Sequence, residues 1–298
     1  MDKTAVETPS GKGAGDENFP VGSWLLPVHL RPHVAKFYAF ARAIDDIADN
    51  PDLDAHDKIE RLDRMEGALL DDSDRSLELS TAHRLRDSLK ATRVTARHGQ
   101  DLIAAFKQDA LKSRYDDWAD LLGYCRLSAN PVGRYLLDLH GEEADDYPPS
   151  DALCTALQIL NHLQDCQDDF FNLDRVYLPQ DWMDAAGLTV EVLKSRQSPV
   201  AFRQLLDLCL DGVDQQLAIA RQLPRQLKSG RLAMESAVIV KLAERLSILL
   251  RKGDPLARRV ALQKGDFIKC GLWGISSVMF ARGTGRHRAG RPAAAEGP

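Results

Sequence analysis

The sequence predicts an all-α protein organised as one large domain. Nearly every long segment has apolar residues at helical spacing, and strand-type alternation over four or more residues is almost absent. No linker long enough to separate two domains interrupts the 298 residues, of which 44% are hydrophobic. These observations favour a single helical bundle with ample material for a core.

The predicted helices follow one another between loops that contain glycine or proline, such as Pro148-Pro149. Segment 118–139 is apolar on several faces and is expected to be central, with a kink or break at Pro131 and Gly133. The helices are predicted over residues 37–49, 58–70, 77–92, 100–113, 118–139, 152–171, 201–223 and 231–251.

Composition and charge narrow the class of protein. The formal net charge of −5 argues against binding to nucleic acid. The five cysteines form no CxxC pair, so we interpret them as reduced, mostly buried thiols of a cytoplasmic protein. Residues 1–17 are polar and lack the apolar stretch of a signal peptide, which predicts a disordered N-terminal lead.

The C-terminal region allows two interpretations. Residues 267–280 are mostly apolar but too short to span a bilayer, and Lys269 interrupts them. A basic tail follows at 281–298, predicted to be disordered, so the expected domain is 18–280. The apolar segment and its tail would suit peripheral contact with an anionic membrane surface. Alternatively, the segment is simply the last helix of the core.

The helix predicted at 37–49 carries carboxylates in an apolar environment. Residues four apart share a helix face, so Asp45 and Asp49 point the same way, with Asp46 beside them and Arg42 one turn earlier. Carboxylates among apolar residues are costly unless positive charge neutralises them. The segment therefore predicts either a basic neighbour or bound divalent cations.

A second acidic face lies on the helix at 152–171. Asn161, Asp165, Asp168 and Asp169 are spaced i, i+4, i+7 and i+8, and Gln158 lies one turn earlier. Oxygen-only ligand sets suit hard cations, above all Mg²⁺. Two such acidic faces could hold several Mg²⁺ ions and, through them, a diphosphate whose departure the ions would assist.

A plainer interpretation is that each acidic cluster is a solvated helix face. The run 71–74 is an acidic stretch of that kind, because it lies in a polar segment that we interpret as a loop. Two clusters inside apolar helices are harder to explain in this way, which favours the metal–diphosphate site. His162 and Cys166 lie off the acidic face, where packing is expected rather than ligation.

Together with Tyr177-Leu178-Pro179, the two acidic clusters resemble the squalene/phytoene synthase family over about residues 18–262. Segments 17–23, 124–134 and 173–179 are most similar to its bacterial hydroxysqualene synthase (HpnC-type) branch. The resemblance implies the isoprenoid-synthase fold, a helical bundle around a central cavity. Two departures stand out: Asp168 replaces the usual glutamate, and Asp174-Arg175 replaces Gly-Arg in a stretch that is one residue longer.

The resemblance also implies roles for individual residues. The implied catalytic residues are Tyr38, Arg42, Asp45, Asp49, Asp165 and Asp169. The implied metal ligands are Asp45, Asp46, Asp49, Asn161, Asp165, Asp168 and Asp169. The implied substrate-binding residues are Phe19, Arg42, Asp46, Tyr124, Ala129, Val132, Gly133, Gln158, Asn161, Arg175 and Tyr177.

The branch resemblance implies a specific reaction in squalene and hopanoid biosynthesis. Presqualene diphosphate would be ionised with Mg²⁺, rearranged as a cation and captured by water to give hydroxysqualene, without NADPH. The substrate is expected to come from a presqualene diphosphate synthase. The alternatives are head-to-head condensation of prenyl diphosphates to presqualene diphosphate, squalene or phytoene, and a non-catalytic relative. The presence of both acidic clusters argues against the latter.

Overall fold

Helices account for most of the chain that the computed structural model describes, namely residues 6–7, 25–71 and 76–289. The all-α prediction is confirmed. Within the described residues the helices are α1 Arg31–Ala48, α2 Ala55–Leu70, α3 Ser80–Thr92, α4 Arg97–Asp109, α5 Trp118–Ser128, α6 Asn130–His140, α7 Tyr147–Leu173, α8 Gln180–Ala185, α9 Val200–Ala220, α10 Leu223–Gln226, α11 Gly230–Lys252 and α12 Lys264–Ala289.

The predicted break in the central segment occurs at Ala129, which ends α5 and precedes α6. Pro131 lies in the first turn of α6, where its missing N–H costs no helical hydrogen bond. Gly133 serves the packing of α6 on α7, because a Cβ there would lie 2.5 Å from Ser150 Oγ. Proline and glycine at these positions therefore produce two short helices with a close crossing.

Two groups of buried apolar side chains make up the core. One lies among α1, α2, α3 and α4 and includes Tyr135 of α6, whose ring stacks on Phe37 at 3.9 Å. The other is formed mainly by α5, α7, α9 and α11. Helix α4 packs against both α1 and α5, so its C-terminal end lies where the two groups meet. The charged residues described below converge at this point.

A two-stranded parallel sheet, not predicted from the sequence, joins β1 (Arg114–Tyr115) to β2 (Val176–Pro179). The Val176 N–H donates to the Ser113 carbonyl at 2.9 Å. Strands this short cannot show the alternation on which a sequence prediction depends. The pairing nevertheless places β2, and Arg175 just before it, beside the end of α4.

Two described segments lie near the ends of the chain. Val6 is buried, and a Glu7 carboxylate oxygen accepts hydrogen bonds from the Thr81 N–H and hydroxyl at 2.9 and 2.7 Å, which caps the start of α3. At the other end, helix α12 continues to Ala289. Alanine and arginine favour helix, and the first proline after Lys264 is Pro292.

Candidate active site

The first acidic group lies at the C-terminal end of α1. Arg42 Nη1 contacts Asp45 Oδ2 at 2.7 Å, and its Nη2 contacts Asp46 Oδ1 at 3.2 Å. Asp46 is buried, whereas the Asp45 side chain is 26% exposed. Burial and the nearby Asp49 charge raise the pKa of Asp45 to about 7, although Arg42 opposes the shift. One guanidinium therefore compensates only part of the negative charge on this helix.

Arg175 connects the end of α1 to β2. Its Nη1 contacts Asp49 Oδ1 at 2.6 Å, and its Nη2 donates to the Ala48 carbonyl at 3.2 Å. The guanidinium is nearly buried, and burial alone would lower its pKa. The charges of Asp109 and Asp49 outweigh burial and hold the pKa of Arg175 above its usual range. Arg175 is thus a fixed cation within an acidic environment.

The second acidic group lies in the last turns of α7. Asp165 forms a two-pronged pair with Arg259, through Nε at 2.8 Å and Nη2 at 3.2 Å. Burial raises the pKa of Asp165 against the opposing charge of Arg259. Asp168 is exposed, whereas Asp169 is half-buried and lies 3.7 Å from His162 Nδ1. The single acidic face predicted from the spacing therefore has members in different environments.

His162 links the acidic residues of α7 to an aromatic cluster formed by Tyr115, Tyr124 and Tyr177. Its ring stacks on Tyr177 at 3.5 Å, and the Gln158 amide nitrogen lies 3.0 Å from its Nε2. The other ring nitrogen, Nδ1, faces Asp169. The packing expected for His162 is present, and it also brings the ring into contact with predicted site residues.

Asp109, the last residue of α4, lies between the two acidic groups. The charges of Asp49 on one side and Asp169 on the other both act on its carboxyl. The Tyr124 hydroxyl donates to Oδ2 at 2.7 Å, while Oδ1 is buried without a hydrogen-bond partner among the described residues. Burial, opposed mainly by Arg175, raises the pKa of Asp109 to about 7. Asp109 therefore lies where α1, α7 and β2 converge.

The remaining predicted residues occupy different places. Tyr38 and Asn161 are half-buried on α1 and α7, and Ala129 is buried at the α5–α6 break. Val132 is 39% exposed. Gly133 packs on Ser150 and Cys154 in the N-terminal part of α7, about 16 to 22 Å along that helix from Asp165. Phe19 lies outside the described residues.

The acidic groups can be tested for their fit to the implied Mg²⁺. Within the described part of the chain no three His, Cys, Asp or Glu side chains converge on one metal position. Arg42, Arg175 and Arg259 instead pair with Asp45, Asp49 and Asp165 respectively. The donor set is oxygen-only, and the buried Oδ1 of Asp109 has no hydrogen-bond partner among the described residues. Both features fit a hard divalent cation.

Three residues of this site were missed by the sequence prediction. Asp109 did leave a signal, because it follows Leu102 and Phe106 on the apolar face of an amphipathic helix. Arg259 left no such signal in the sequence, because it lies in the loop between α11 and α12. A loop has no periodicity from which the direction of a side chain can be inferred. The role of His162 as a link depends on β2, which the sequence does not reveal.

The helical bundle, with acidic residues on two helices paired to three arginines, is that of an isoprenoid synthase. The chain matches the squalene/phytoene synthase family model over residues 13–266 and belongs to that family of enzymes. The family prediction is thereby confirmed. Members of the family process prenyl diphosphates.

Similarity to individual proteins extends over nearly the whole chain. The hydroxysqualene synthase of Rhodopseudomonas palustris is 41% identical over 97% of this chain and 98% of its own. The hydroxysqualene synthase of Zymomonas mobilis is 40% identical over 93% of each chain. A solved structure of the squalene synthase HpnC from Alicyclobacillus acidocaldarius superposes with a TM-score of 0.68 at 30% identity, covering 78% of this chain and 87% of that one.

Proposed function

We propose that the protein converts presqualene diphosphate to hydroxysqualene. The observation that carries the proposal is the identity of about 40%, over nearly full length, to relatives named hydroxysqualene synthase. Both acidic groups are present, and each lies beside an arginine that a diphosphate can engage. The same groups would serve any member of the family, so the branch assignment depends on the similarity.

The diphosphate end of the substrate is proposed to bind between α1 and α7. Arg42, Arg175 and Arg259 present planar guanidinium groups suited to phosphate oxygens, and Tyr38 lies one turn before Arg42. Mg²⁺ held by carboxylates of the two acidic groups would supply charge neutralisation and Lewis-acid assistance to the leaving group. The proposed ligands are Asp45, Asp46, Asp49, Asn161, Asp165 and Asp169, with exposed Asp168 in an outer position.

The aromatic cluster is proposed to stabilise the carbocation. Tyr124 and Tyr177 are buried, their ring centroids lie 5.6 Å apart, and Tyr115 lies within 5.5 Å of both. Ring faces attract positive charge, most strongly where water is excluded. Burial raises the pKa of both Tyr124 and Tyr177, which keeps their hydroxyls neutral. Together with Gln158, these residues form the proposed polar end of the substrate pocket, and Ala129, Val132 and Gly133 its distant wall.

The electron balance of this reaction requires no reductant. The carbon–oxygen bond to diphosphate breaks, and its electron pair leaves with the diphosphate. The cyclopropylcarbinyl cation rearranges, and a water oxygen then forms the new carbon–oxygen bond and releases a proton. Carbon undergoes no net reduction, so we propose turnover without NADPH.

Product analysis tests this proposal. The purified protein is incubated with Mg²⁺ and either presqualene diphosphate or farnesyl diphosphate, in both cases without NADPH, and the extracted products are identified by mass spectrometry. We expect hydroxysqualene from presqualene diphosphate and no product from farnesyl diphosphate. Formation of presqualene diphosphate from farnesyl diphosphate would instead support head-to-head condensation. A matched reaction with a metal chelator is expected to give no product.

Hydroxysqualene is insoluble in water and presqualene diphosphate is amphiphilic, so both are expected to partition into a membrane. No described helix is long and apolar enough to cross a bilayer. We propose a cytoplasmic enzyme with peripheral membrane contact through its C-terminal region, which receives its substrate from a presqualene diphosphate synthase. The exposed apolar side chains of α12 support the membrane contact.

A further inference from the structure

Helix α12 exposes several large apolar side chains on one side. Five large apolar side chains on it are 64–76% exposed: Ile268, Leu272, Trp273, Met279 and Phe280. At 100° per residue they occupy an arc of about 140°, interrupted only by Lys269 and Ser276. Clustered exposure of this kind marks an interaction surface, since scattered single residues would not form a stripe.

The opposite side of α12 fixes this orientation. Gly274 allows close approach to α11, because a Cβ there would lie 2.7 Å from the Val238 backbone nitrogen. Val278, one turn later, is buried in the same contact. Of all the pairs of elements in the described structure, α11 and α12 form the most extensive contact. The apolar arc is therefore held outward by packing and is not a frayed end.

A basic cavity of about 490 Å³ lies directly beside this arc, between α11, α12 and the α9–α10 connection. None of its described lining residues is negatively charged, and four are positively charged: Arg221, Arg225, Lys241 and Arg282. Trp273 belongs to both the cavity and the apolar arc, and Lys241 Nζ lies 4.9 Å from the centroid of its ring. A positive cavity and an apolar face therefore share one edge.

The four cations differ in how far they are already neutralised. Arg221 and Lys241 share the carboxylate of Glu244, at 2.6 and 2.7 Å. Arg282 donates to the Leu227 and Lys228 carbonyls at 2.6 and 3.2 Å, which leaves its charge without a carboxylate in these contacts. Exposed Arg225 also lines the cavity. The cavity therefore retains a net positive charge of about three.

We propose that this cavity binds the phosphate headgroup of an anionic phospholipid while the apolar arc of α12 rests in the membrane interface. The proposal rests on the peripheral membrane contact proposed above and gives it a chemical specificity. Charge complementarity selects the occupant: guanidinium groups match phosphodiester oxygens, and the apolar arc continues toward the acyl chains. Tryptophan at the shared edge suits the interfacial depth. A bound headgroup would orient the enzyme on the surface.

Vesicle partitioning of the full chain tests the proposal. Binding is measured by flotation on phosphatidylcholine vesicles and on vesicles that also contain phosphatidylglycerol. Arg225→Gln is compared with Lys90→Gln, which removes the same charge from an exposed position on α3, a helix that packs on α1 and α2. The basic residues beyond Arg282 are identical in both variants, so any difference reports the cavity.

We expect wild-type protein to prefer the phosphatidylglycerol vesicles. Arg225→Gln should lower that binding about fivefold and Arg225→Glu roughly 25-fold, because each unit of charge near an anionic surface contributes about 1 kcal/mol. Lys90→Gln should change it little, and high salt should remove the preference. All these variants should keep wild-type turnover of detergent-dispersed presqualene diphosphate, which shows that they fold. Equal losses in Arg225→Gln and Lys90→Gln would overturn the headgroup site.

A second variant separates the headgroup site from the membrane contact itself. Leu272→Ser combined with Phe280→Ser should weaken binding to both kinds of vesicle, because it removes exposed apolar area common to both. If wild-type protein bound neither vesicle, the membrane contact would be refuted along with the headgroup site. If it formed a concentration-dependent dimer that the double variant abolished, the arc would be a self-association surface, and the proposal would likewise fail.

Discussion

Asp109 is expected to make the metal-free protein less stable as the pH rises from about 5 to about 8. Burial raises its pKa from 3.8 to about 7 in the folded protein, against the opposing charge of Arg175 and the hydrogen bond from Tyr124. Between these two values the unfolded chain has lost the Asp109 proton, whereas the folded protein keeps it. Because the unfolded state binds fewer protons, the free energy of unfolding falls with rising pH in this window.

The substitution Asp109→Asn isolates this effect. The amide keeps an oxygen that can accept the Tyr124 hydroxyl, but it does not titrate. The pKa of Asp109 is 3.8 in the unfolded chain and about 7 in the folded protein. Ionisation of this group therefore lowers the free energy of unfolding by roughly 2 kcal/mol at about pH 5 and by roughly 4 kcal/mol at about pH 8. The stability of the variant relative to wild type should therefore increase by roughly 2 to 3 kcal/mol between these pH values.

Urea unfolding with a metal chelator present measures this difference at both pH values. Asp45 titrates in both proteins, so its own contribution largely cancels in the comparison. Asp52→Asn is the matched control, because it removes a carboxylate from an exposed loop. A stability difference between Asp109→Asn and wild type that is the same at both pH values would refute the reasoning.

Three further predictions concern the acidic groups and the backbone. Replacing Asp45 and Asp165 together by Asn should abolish turnover with an unchanged circular dichroism spectrum; full activity would refute the metal assignment. Asp174 has a φ of +51°, a backbone conformation that glycine adopts more easily than alanine. The free energy of unfolding in urea should therefore be about 1 kcal/mol higher for Asp174→Gly than for Asp174→Ala, and equal values would contradict this. Gly133→Ala should cost about 1–3 kcal/mol in thermal unfolding by overpacking. Adding Ser150→Ala should recover part of that loss, because a Cβ at Gly133 lies 2.5 Å from its hydroxyl, and no recovery would contradict the packing account.

The helices could be predicted because their apolar periodicity is a local property. Helix α7 was predicted at 152–171 and spans Tyr147–Leu173, because Pro148 and Pro149 fit its first turn although they had suggested a loop. At the other end of α7, Asp174 adopts the left-handed conformation, at a position where the resembled family usually has glycine. Aspartate tolerates this conformation better than most residues, so α7 can end here even though aspartate replaces glycine.

Less of the site could be predicted, because its residues come together through tertiary contacts. Arg42 pairs with acidic residues of its own helix, and the spacing alone indicated this. The partners of Asp49 and Asp165 are 126 and 94 residues away in the chain, respectively. Arg175 reaches Asp49 only because β2 pairs with β1, and a two-residue strand leaves no readable pattern. The contribution of Arg259 could be found only in the structure.

The arginine–carboxylate pairs also explain how so acidic a site can exist in a folded protein. Carboxylates drawn from several helices repel one another, and partly buried charge is costly unless it is paired. Each acidic group is paired with an arginine, and Arg175 and Arg259 lie outside the helices that carry their partners. A guanidinium whose carboxylate engages a cation keeps its donors and can turn them to phosphate oxygens. The arginines that neutralise these carboxylates are therefore the same residues that we propose for diphosphate binding.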